Sequence, residues 1–376
     1  MDDPRKERME SELSQRLAEA SERYGPTLES IDAQQSMLVD ELVPLSGDAG
    51  MRFMATPETV VASVGRPVTA TDPDALRDAG IEGHYPMSPH AIAQVADRLG
   101  LPSKYTRESI SSGIPWRRDL IAHAMTEHAN NKPQTRVLVR RVGNTIRGVL
   151  SDRYRRLDSG TIARSFITAG SDAGMRLLKA DADDTQTSVE MIYPQVFQID
   201  AGRNGIAWTV YGARYRNSDF GDGAMSISLM EIRCLCFNLL VFERAMREIH
   251  LGKRLPENVR FSEKTYRLDT QTTASAVADT VGQLITPDAI QERAEAVQRA
   301  ASTEVKLDDE IKRLPSLQKG ESESLIAVLA RNRIDEIPDG PLTRFKLAQG
   351  VSFVAQGSNT ARRRRDLEEL AATLVN

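Results

Sequence analysis

The chain has 376 residues, a formal net charge of -4 and two cysteines. A chain of this length buries a substantial core and does not depend on disulfides for stability. The overall negative charge argues against uniform attraction to nucleic acid, but charge is segregated along the chain. Residues 1–50 contain twelve acidic and five basic residues, whereas residues 136–164 contain eight arginines and two aspartates.

The N-terminal sequence and the cysteines indicate the cellular compartment of the protein. The N-terminal residues contain no apolar leader segment, and no stretch approaches the roughly 20 apolar residues of a membrane span. The two cysteines lie one residue apart, a spacing that disfavours a disulfide between them and fits a reducing compartment. We therefore expect a cytoplasmic protein with no membrane partner.

An acidic arm, residues 1–48, opens the chain. Apolar side chains such as Leu13 and Leu17 recur at about one helical turn, which predicts a helix over residues 4–45 that is interrupted at Pro26. The rest of the arm is polar. It either packs on the body of the protein as a solvated helix or binds a partner, and the pattern fits both.

Residues 49–133 form a mixed region of short strands and helices. Ser88 is a capping residue followed by Pro89 at the first helical position, which predicts a helix that ends at Gly100. A second helix is predicted over residues 106–133, up to a turn-prone Asn-Asn-Lys-Pro sequence.

The centre of the chain, residues 134–255, is predicted as a β-rich core. The first of three hairpins turns at Gly143 and is followed by a short helix. Two further hairpins are predicted over residues 177–199 and 205–238, the last with a Gly- and Asp-rich loop. An amphipathic helix over residues 238–255 is expected to close the core.

Residues 256–376 are polar and helical, interrupted by prolines, and are expected to pack on the core. The whole pattern predicts an α+β fold. Its centre is an antiparallel β-sheet built from hairpins, and helices from the N- and C-terminal regions flank that sheet.

The first hairpin carries an unusual charge pattern. A two-residue turn at Gly143 pairs Arg140 with Arg147 and places Arg136 on the same outer face. Like charges directly opposite each other cost a few tenths of a kcal/mol unless an anion lies between them. The face therefore predicts a surface that binds phosphates.

The strand continues into the sequence SDRYRR, and the third hairpin adds two more arginines. Cations beside an aromatic ring are typical of surfaces that follow a phosphate backbone and stack bases. The candidate nucleic-acid-binding residues are Arg136, Arg140, Arg147, Arg153, Tyr154, Arg155, Arg156, Arg214 and Arg216. The same pattern also fits arginines paired with the chain's own acids, supplied by the acidic arm or by Asp181, Asp183 and Asp184.

The loop of the third hairpin is a second candidate site. Its glycines permit positive φ angles and a close approach of the backbone to a ligand. A hairpin loop of this length also needs turn-forming residues, so the sequence has a purely structural explanation as well. The candidate loop residues are Asn217, Ser218, Asp219 and Gly221.

Catalysis and metal binding have little support in the sequence. The histidines lack the spacing of a helical zinc pair, and there is no glycine-rich phosphate loop or nucleophile elbow. We expect no enzyme activity, cofactor or metal. The remote alternative is a metal-dependent nuclease that uses Asp152 with Asp219 or Asp222. A simpler interpretation makes Asp158 a helix cap and Asp152 the partner of a neighbouring arginine.

Three blocks of sequence, GVLSDRYRRLDSG, GARYRNSDFGDGAMSISLMEIRCLCFNLLV and LTRFKLAQGVSFVAQ, resemble signature blocks of a known family. It is the phage- and plasmid-associated "domain of unknown function 932" family. The likeness covers roughly residues 80–360, and the middle block is the most specific. The chain departs from the family pattern at residues 236–239, where the usual glycine is missing, which marks a divergent member. The resemblance implies a mobile-element protein in a bacterial host cytoplasm.

We therefore predict a non-enzymatic DNA-binding protein of a phage or plasmid. It prefers single-stranded DNA and acts in annealing during recombination or replication, a role inferred by analogy with annealing proteins of mobile elements. Such proteins commonly form rings or filaments, so a homo-oligomer is left open. The alternative from another class is an accessory factor that binds protein partners and whose basic sheet is covered by acidic segments.

Overall fold

A computed structural model gives the structure of the chain. The described residues are 4–46, 50–64, 83–132, 136–201, 205–234, 239–250, 252, 261–314, 316–330 and 341–375, without the side chains of 243 and 244. The region boundaries predicted near residues 48, 133 and 255 lie outside the described residues.

Strands dominate the middle of the chain and helices both ends. The first elements are α1 (Pro4–Ser36), β1 (Leu38–Pro44), β2 (Arg52–Ala55), β3 (Val60–Ser63), β4 (His84–Pro86), α2 (Pro89–Leu99), α3 (Ser103–Ser111), α4 (Pro115–Asn130), β5 (Arg136–Val142) and β6 (Thr145–Ser151). The central elements are α5 (Ser159–Asp172), β7 (Arg176–Ala182), β8 (Thr187–Ile192), β9 (Phe197–Asp200), β10 (Ile206–Asn217), β11 (Met225–Arg233) and β12 (Leu239–Glu248). The C-terminal helices are α6 (Glu263–Leu284), α7 (Pro287–Ser302), α8 (Leu307–Arg313), α9 (Lys319–Ala330), α10 (Arg344–Gln356) and α11 (Ala361–Thr373).

The largest sheet is six-stranded and antiparallel. Its strands follow the order β12-β11-β10-β8-β7, and β9 also pairs with β10. The second and third predicted hairpins supply β7 with β8 and β10 with β11. Helices from both ends of the chain flank this sheet, so the α+β class with a central antiparallel sheet is confirmed.

The closing helix predicted over residues 238–255 is wrong, because its described part contains the strand β12. This strand pairs with β11, for example Leu239 with Ile232 and Val241 with Met230. Leu, Glu, Arg and Met favour a helix in isolation, but the free edge of β11 offers backbone partners that outweigh this preference. Leu240 and Phe242 are thereby buried against the C-terminal helices.

The acidic arm is helical only in part. The helix α1 continues through Pro26 and ends at Ser36, so the predicted interruption and the predicted end near residue 45 are both wrong. The next residues form β1, which pairs with β5 from Leu38 opposite Val142 to Pro44 opposite Arg136. The first hairpin thereby becomes a three-stranded sheet, β1-β5-β6.

The mixed region holds the third sheet, β2-β3-β4, and three helices. The predicted caps of α2 are confirmed, since the Ser88 side chain accepts a hydrogen bond from the Ala91 amide and Gly100 has a φ of 76°. The single helix predicted over residues 106–133 is instead two helices. Gly113, with a φ of 72°, and Pro115 at the start of α4 separate them.

Several apolar clusters hold the sheets and helices together. Leu13 and Leu17 of α1 pack with Trp208 and Met230 of the six-stranded sheet. The helices α5 and α6 pack around Tyr215, and α7, α10 and α11 pack around Tyr211. A separate cluster joins α2 and α4 to β2, β3, β5 and β6. Within the described residues, no helix is both long and apolar enough to cross a membrane.

Candidate functional site

Arg140, at the centre of the predicted nucleic-acid-binding face, is buried. Its Nε donates to Asp40 Oδ1 at 2.8 Å and its Nη2 donates to Asp158 Oδ1 at 2.7 Å. Its Nη1 donates to the backbone carbonyl of Asp219 at 2.8 Å. Burial alone lowers the pKa of Arg140, but the negative charges of Asp40, Asp158 and Asp219 raise it well above its usual value. The guanidinium is therefore charged and engaged on all sides.

The predicted pairing of Arg140 with Arg147 is wrong. A β-bulge in the hairpin shifts the register, so Arg140 lies opposite Gly148 and Arg141 lies opposite Ile146. Arg147 is the extra residue of the bulge and does not face another arginine. Its Nη1 donates to Gln34 Oε1 of α1 at 3.1 Å and lies 4.0 Å from Asp184.

The arginines of the SDRYRR block also contact the chain's own acids. Arg155 donates two hydrogen bonds of 2.8 Å to Asp269 and one of 2.7 Å to Glu248. Arg156 lies 3.1 Å from Asp40 and 3.2 Å from Glu263. Of the arginines in this block, only Arg153 is exposed.

The remaining arginines of the prediction follow the same pattern. Arg136 lies 4.0 Å from Asp152, and Arg216 lies 3.5 Å from Glu369. Arg214 is buried, with its Nη2 bonded to Glu190 at 2.7 Å and to Glu368. Burial lowers the pKa of Arg214, but these two carboxylates raise it by more, so the net shift is upward. Most arginines of the predicted face therefore pair with the protein's own carboxylates. This is the alternative that the sequence left open.

The candidate loop after β10 is largely a structural element. Asn217 Nδ2 donates to the carbonyl of Leu157 at 2.6 Å and to Ser159 Oγ at 3.0 Å. Ser218 Oγ accepts hydrogen bonds from the amides of Phe220 and Asp222, a local turn that fixes the loop. Of the four candidate residues, Gly221 lines an open cleft.

Asp219, rather than Asp158, caps the helix α5. Asp158 occupies the N-cap position, but its side chain makes no capping hydrogen bond and turns to Arg140. Asp219 Oδ1 accepts the hydrogen bond of the Ser159 amide at 2.8 Å. Burial raises the pKa of Asp219 to about 6, although the Arg140 charge opposes this shift. The sequence offered no sign of this long-range cap, which depends on the tertiary fold.

An open cleft brings the SDRYRR block and the candidate loop together. It has a volume of about 690 Å³ and lies between α2, β6, the loop before β11 and the end of β12. This volume falls within the range of ligand sites. The lining residues are Gln94, Asp97, Arg98, Val149, Leu150, Ser151, Tyr154, Gly221, Gly223, Ala224, Arg247, Ile249 and His250. We define these residues as the central cleft.

The arginines of the central cleft differ from those of the predicted face. The Nε of Arg98 is buried and has no hydrogen-bond partner within the described residues. Burial lowers the pKa of Arg98, with Asp152 acting in the opposite direction. Arg247 is exposed and forms no ion pair with any carboxylate that the structure describes. Two guanidinium groups are therefore available to an anion in the cleft.

Two stacked rings form an apolar wall of the central cleft. The rings of Tyr154 and His250 are 4.8 Å apart with an interplanar angle of 8°. Tyr154 is buried and its hydroxyl donates to the carbonyl of Ser218 at 2.8 Å. Tyr154 also lines a second cavity of about 150 Å³. Among the described residues, it is the only lining residue that this cavity and the central cleft share. The ring is thus a fixed part of the wall.

His250 has an unusual hydrogen-bond environment. Its Nδ1 lies 3.0 Å from the carbonyl of Arg155 and its Nε2 lies 2.8 Å from Asn217 Oδ1. Burial lowers the pKa of His250 to about 4, so the ring is neutral at physiological pH. A neutral imidazole has a single N–H, so one of the two oxygen acceptors faces an unprotonated nitrogen.

Sequence reasoning missed the residues that complete the cleft. Arg98 ends an ordinary amphipathic helix, and His250 and Arg247 fell within a segment predicted to be helical. No local pattern indicates that α2 lies beside the loop before β11. The contact depends on Gln94, which donates to the carbonyl of Phe220 at 2.8 Å and accepts from the Val149 amide at 2.8 Å.

The carboxylates of the nuclease alternative are bound to other groups. Asp152 lies beside Arg136, Asp219 caps α5, and Asp222 accepts from Arg362 at 2.9 Å. Among the residues that the structure describes, no three His, Cys, Asp or Glu side chains form a group suited to a metal ion.

Comparisons with known proteins add no relative. The chain matches no family model, no curated protein and no solved structure. The resemblance to the domain of unknown function 932 family therefore stays a prediction from the three sequence blocks.

Proposed function

We propose that the protein binds DNA, with a preference for single strands, and that the central cleft is the binding site. The single observation that carries this proposal is the pair of cleft arginines, Arg98 and Arg247, neither of which forms an ion pair with a carboxylate that the structure describes. Guanidinium groups bind phosphate through paired N–H donors, as they bind carboxylates.

The site in this proposal differs from the arginine face predicted from the sequence. Arg140 and Arg214 are buried and bonded to two carboxylates each, so binding a phosphate there would require breaking those contacts. In the central cleft, Arg98 and Arg247 have no ion pairs with described carboxylates that a phosphate would have to break. Its open form also suits a flexible single strand, with the wall of Tyr154 and the exposed side chain of Ile249 offering apolar surface.

A salt titration tests this proposal. The affinity of a fluorescein-labelled oligothymidylate is measured by anisotropy at several salt concentrations. Loss of about two phosphate contacts in the double variant Arg98→Ala plus Arg247→Ala should weaken binding and reduce the log–log salt slope by about 1.4. The matched control is Arg176→Ala plus Arg299→Ala, which removes the same charge from exposed positions outside the cleft.

Two results would contradict the proposal. Absence of binding by the unaltered protein at low salt would exclude DNA as the ligand. Equal losses in the cleft variant and its control would show that the affinity reflects net charge rather than the cleft. A duplex of the same sequence, compared in the same assay, measures the preference for single strands.

The biological setting extends this proposal. The sequence resemblance suggests the cytoplasm of a bacterium that carries a phage or plasmid, and the analogy with annealing proteins of mobile elements suggests annealing during recombination or replication. We infer assembly into a homo-oligomer from the analogy with annealing proteins. Annealing is measured directly by mixing two complementary labelled oligonucleotides and following their pairing by energy transfer, and the Arg98→Ala plus Arg247→Ala variant should slow it.

The alternative function, a non-catalytic accessory factor that binds protein partners, has one supporting observation. The acids that cover the basic sheet come from the chain itself, from β1 through Asp40 and from α6 through Asp269. A basic sheet whose arginines are neutralised by the chain's own carboxylates does not need DNA to balance its charge. Absence of DNA binding in the salt titration would favour this function.

A further inference from the structure

A short segment beside the central cleft is strongly basic. Residues 98–118 contain Arg98, Lys104, Arg107, Arg117 and Arg118 but only one acid, Glu108, in a chain whose net charge is -4. The segment comprises the last turn of α2, all of α3 and the start of α4. Arg98, at the start of the segment, also lines the central cleft.

The same segment exposes large apolar side chains. Trp116 is 59% exposed and Tyr105 is 47% exposed, and Leu120, two residues beyond the segment, is 46% exposed. The chain's second tryptophan, Trp208, is only 4% exposed. Exposed aromatic rings beside cations are typical of surfaces that stack nucleic-acid bases.

Two arginines of this segment are free to bind phosphate. Arg107 and Arg117 form no ion pair with any carboxylate of the described ranges. The guanidinium carbon of Arg117 lies 5.5 Å from the centre of the Trp116 ring. The cation and the ring are therefore adjacent, an arrangement that places a phosphate and a base of one nucleotide within reach together.

The segment is held rigidly on the body of the protein. Arg118 is buried, its Nε donates to the carbonyl of Ile110 at 3.0 Å, and its Nη1 donates to the carbonyl of Thr56 at 3.3 Å and to that of Pro57. These bonds tie α3 to α4 and both to the turn between β2 and β3. A rigid platform loses little conformational entropy when a ligand binds.

We propose that Trp116 and Tyr105 stack with bases of a single-stranded nucleic acid whose phosphates contact Arg107 and Arg117. This inference rests on the proposed function and extends it, because it adds a base-stacking surface on α3 and α4 to the cleft that binds the phosphates. Interleaved cations and exposed rings favour a single strand over a duplex, whose bases are already stacked on each other. We call residues Tyr105, Arg107, Trp116 and Arg117 the stacking platform.

Intrinsic fluorescence provides a direct test, since the chain has only two tryptophans. Stacking of bases on Trp116 should quench its emission when oligothymidylate is added, while the buried Trp208 continues to emit. The variant Trp116→Phe should lose the quenching. Inorganic polyphosphate, which has the charge of the nucleic acid without its bases, should not quench the unaltered protein.

Affinity gives a second readout. The double variant Trp116→Ala plus Tyr105→Ala should bind the labelled oligothymidylate at least about tenfold more weakly, because each base lost from an aromatic ring removes a stacking contact. The matched control is Leu268→Ala plus Ile326→Ala, which shortens two side chains that are 52% and 44% exposed and lie on other helices. All four positions are on the surface, so the variants should remain folded.

The outcomes separate the two proposals. Binding without quenching, together with unchanged affinity in the Trp116→Ala plus Tyr105→Ala variant, would overturn the stacking platform and leave the proposed function intact. Absence of binding by the unaltered protein at low salt would overturn the proposed function and the platform with it. Quenching that polyphosphate reproduces would also overturn base stacking.

Discussion

Arginine is used in this protein mainly to join segments that are distant in sequence. Arg140 joins β5 to β1 through Asp40, and Arg155 joins the turn after β6 to α6 through Asp269. Breaking a buried charge pair costs more than the pair contributes, because the remaining charge is left without a partner in a medium that solvates it poorly. The charge-dense sequence between β6 and α5 is thus explained by tertiary contacts.

Replacing Arg140 tests this explanation at the scale of one residue. We expect Arg140→Met to lower the free energy of unfolding by about 3 kcal/mol, because Asp40 and Asp158 lose their shared partner. Urea denaturation followed by circular dichroism measures the loss. The exposed Arg153, replaced in the same way, serves as the control and should change stability by less than about 0.5 kcal/mol. Equal stabilities would refute the structural role of Arg140.

Glu231 gives a prediction with a defined pH dependence. Its side chain is fully buried and neither carboxyl oxygen has a hydrogen-bond partner among the described residues. Burial raises the pKa of Glu231 to about 7. Since the folded-state pKa exceeds that of the unfolded chain, the folded protein binds this proton more tightly, and stability falls as the pH rises through about 4.5 to 7.

We therefore expect Glu231→Gln to stabilise the protein at about pH 8 by roughly 1–3 kcal/mol and to have a smaller effect at about pH 5. Denaturation at both pH values measures the difference. Glu19→Gln, on the exposed side of α1, is the control and should show no such pH dependence. A variant that is equally destabilised at both pH values would contradict the expectation.

At the scale of elements, the sequence predicts those whose partners are local. The helix α2 follows from its Ser88 cap and Gly100 stop, and the hairpin β5-β6 follows from its turn. The strands β1 and β12 were predicted as helices because their sequences contain good helix formers. They form strands because they pair with the edges of β5 and β11. The central cleft is unpredictable for the same reason, since α2 and the loop before β11 meet across long sequence separations.

The loop before β11 offers a test at this scale, through two glycines with positive φ angles. A Cβ atom on Gly221 would lie 2.5 Å from Leu150 Cδ2, whereas one on Gly100 would have no neighbour within 4 Å. Gly100→Ala should cost about 1 kcal/mol through backbone strain alone. Gly221→Ala should cost about 1–3 kcal/mol more, through overpacking against Leu150. Equal losses in thermal or urea denaturation would show that the loop relaxes freely.

At the scale of the whole molecule, the acidic arm is an integral part of the fold. Leu13 and Leu17 of α1 pack under the six-stranded sheet, Gln34 binds Arg147, and Gln35 accepts a hydrogen bond of 3.0 Å from the Gly160 amide. The helix therefore reaches from the large sheet to the first hairpin and to α5. Of the two roles that the sequence left open for this arm, packing on the body is the one observed.

Truncating one buried side chain of α1 should therefore weaken the whole protein. We expect Leu17→Ala to lower the free energy of unfolding by about 2–5 kcal/mol, since Leu17 is 1% exposed and leaves a cavity. Glu19→Ala, on the exposed side of the same helix, should have little effect. If Leu17→Ala changed only the helical signal and not the unfolding of the sheet, α1 would be an independent arm.

The ring of Tyr154 has a consequence for the shape of the molecule. It is the one described lining residue that the central cleft and the cavity of about 150 Å³ share, the latter extending to Phe261 and Tyr266 beside α6. The tyrosine of the SDRYRR block therefore forms part of the boundary of two separate spaces. Shortening it to alanine should enlarge both of them. A residue first noticed for its place among arginines thus helps to set the size of two cavities at once.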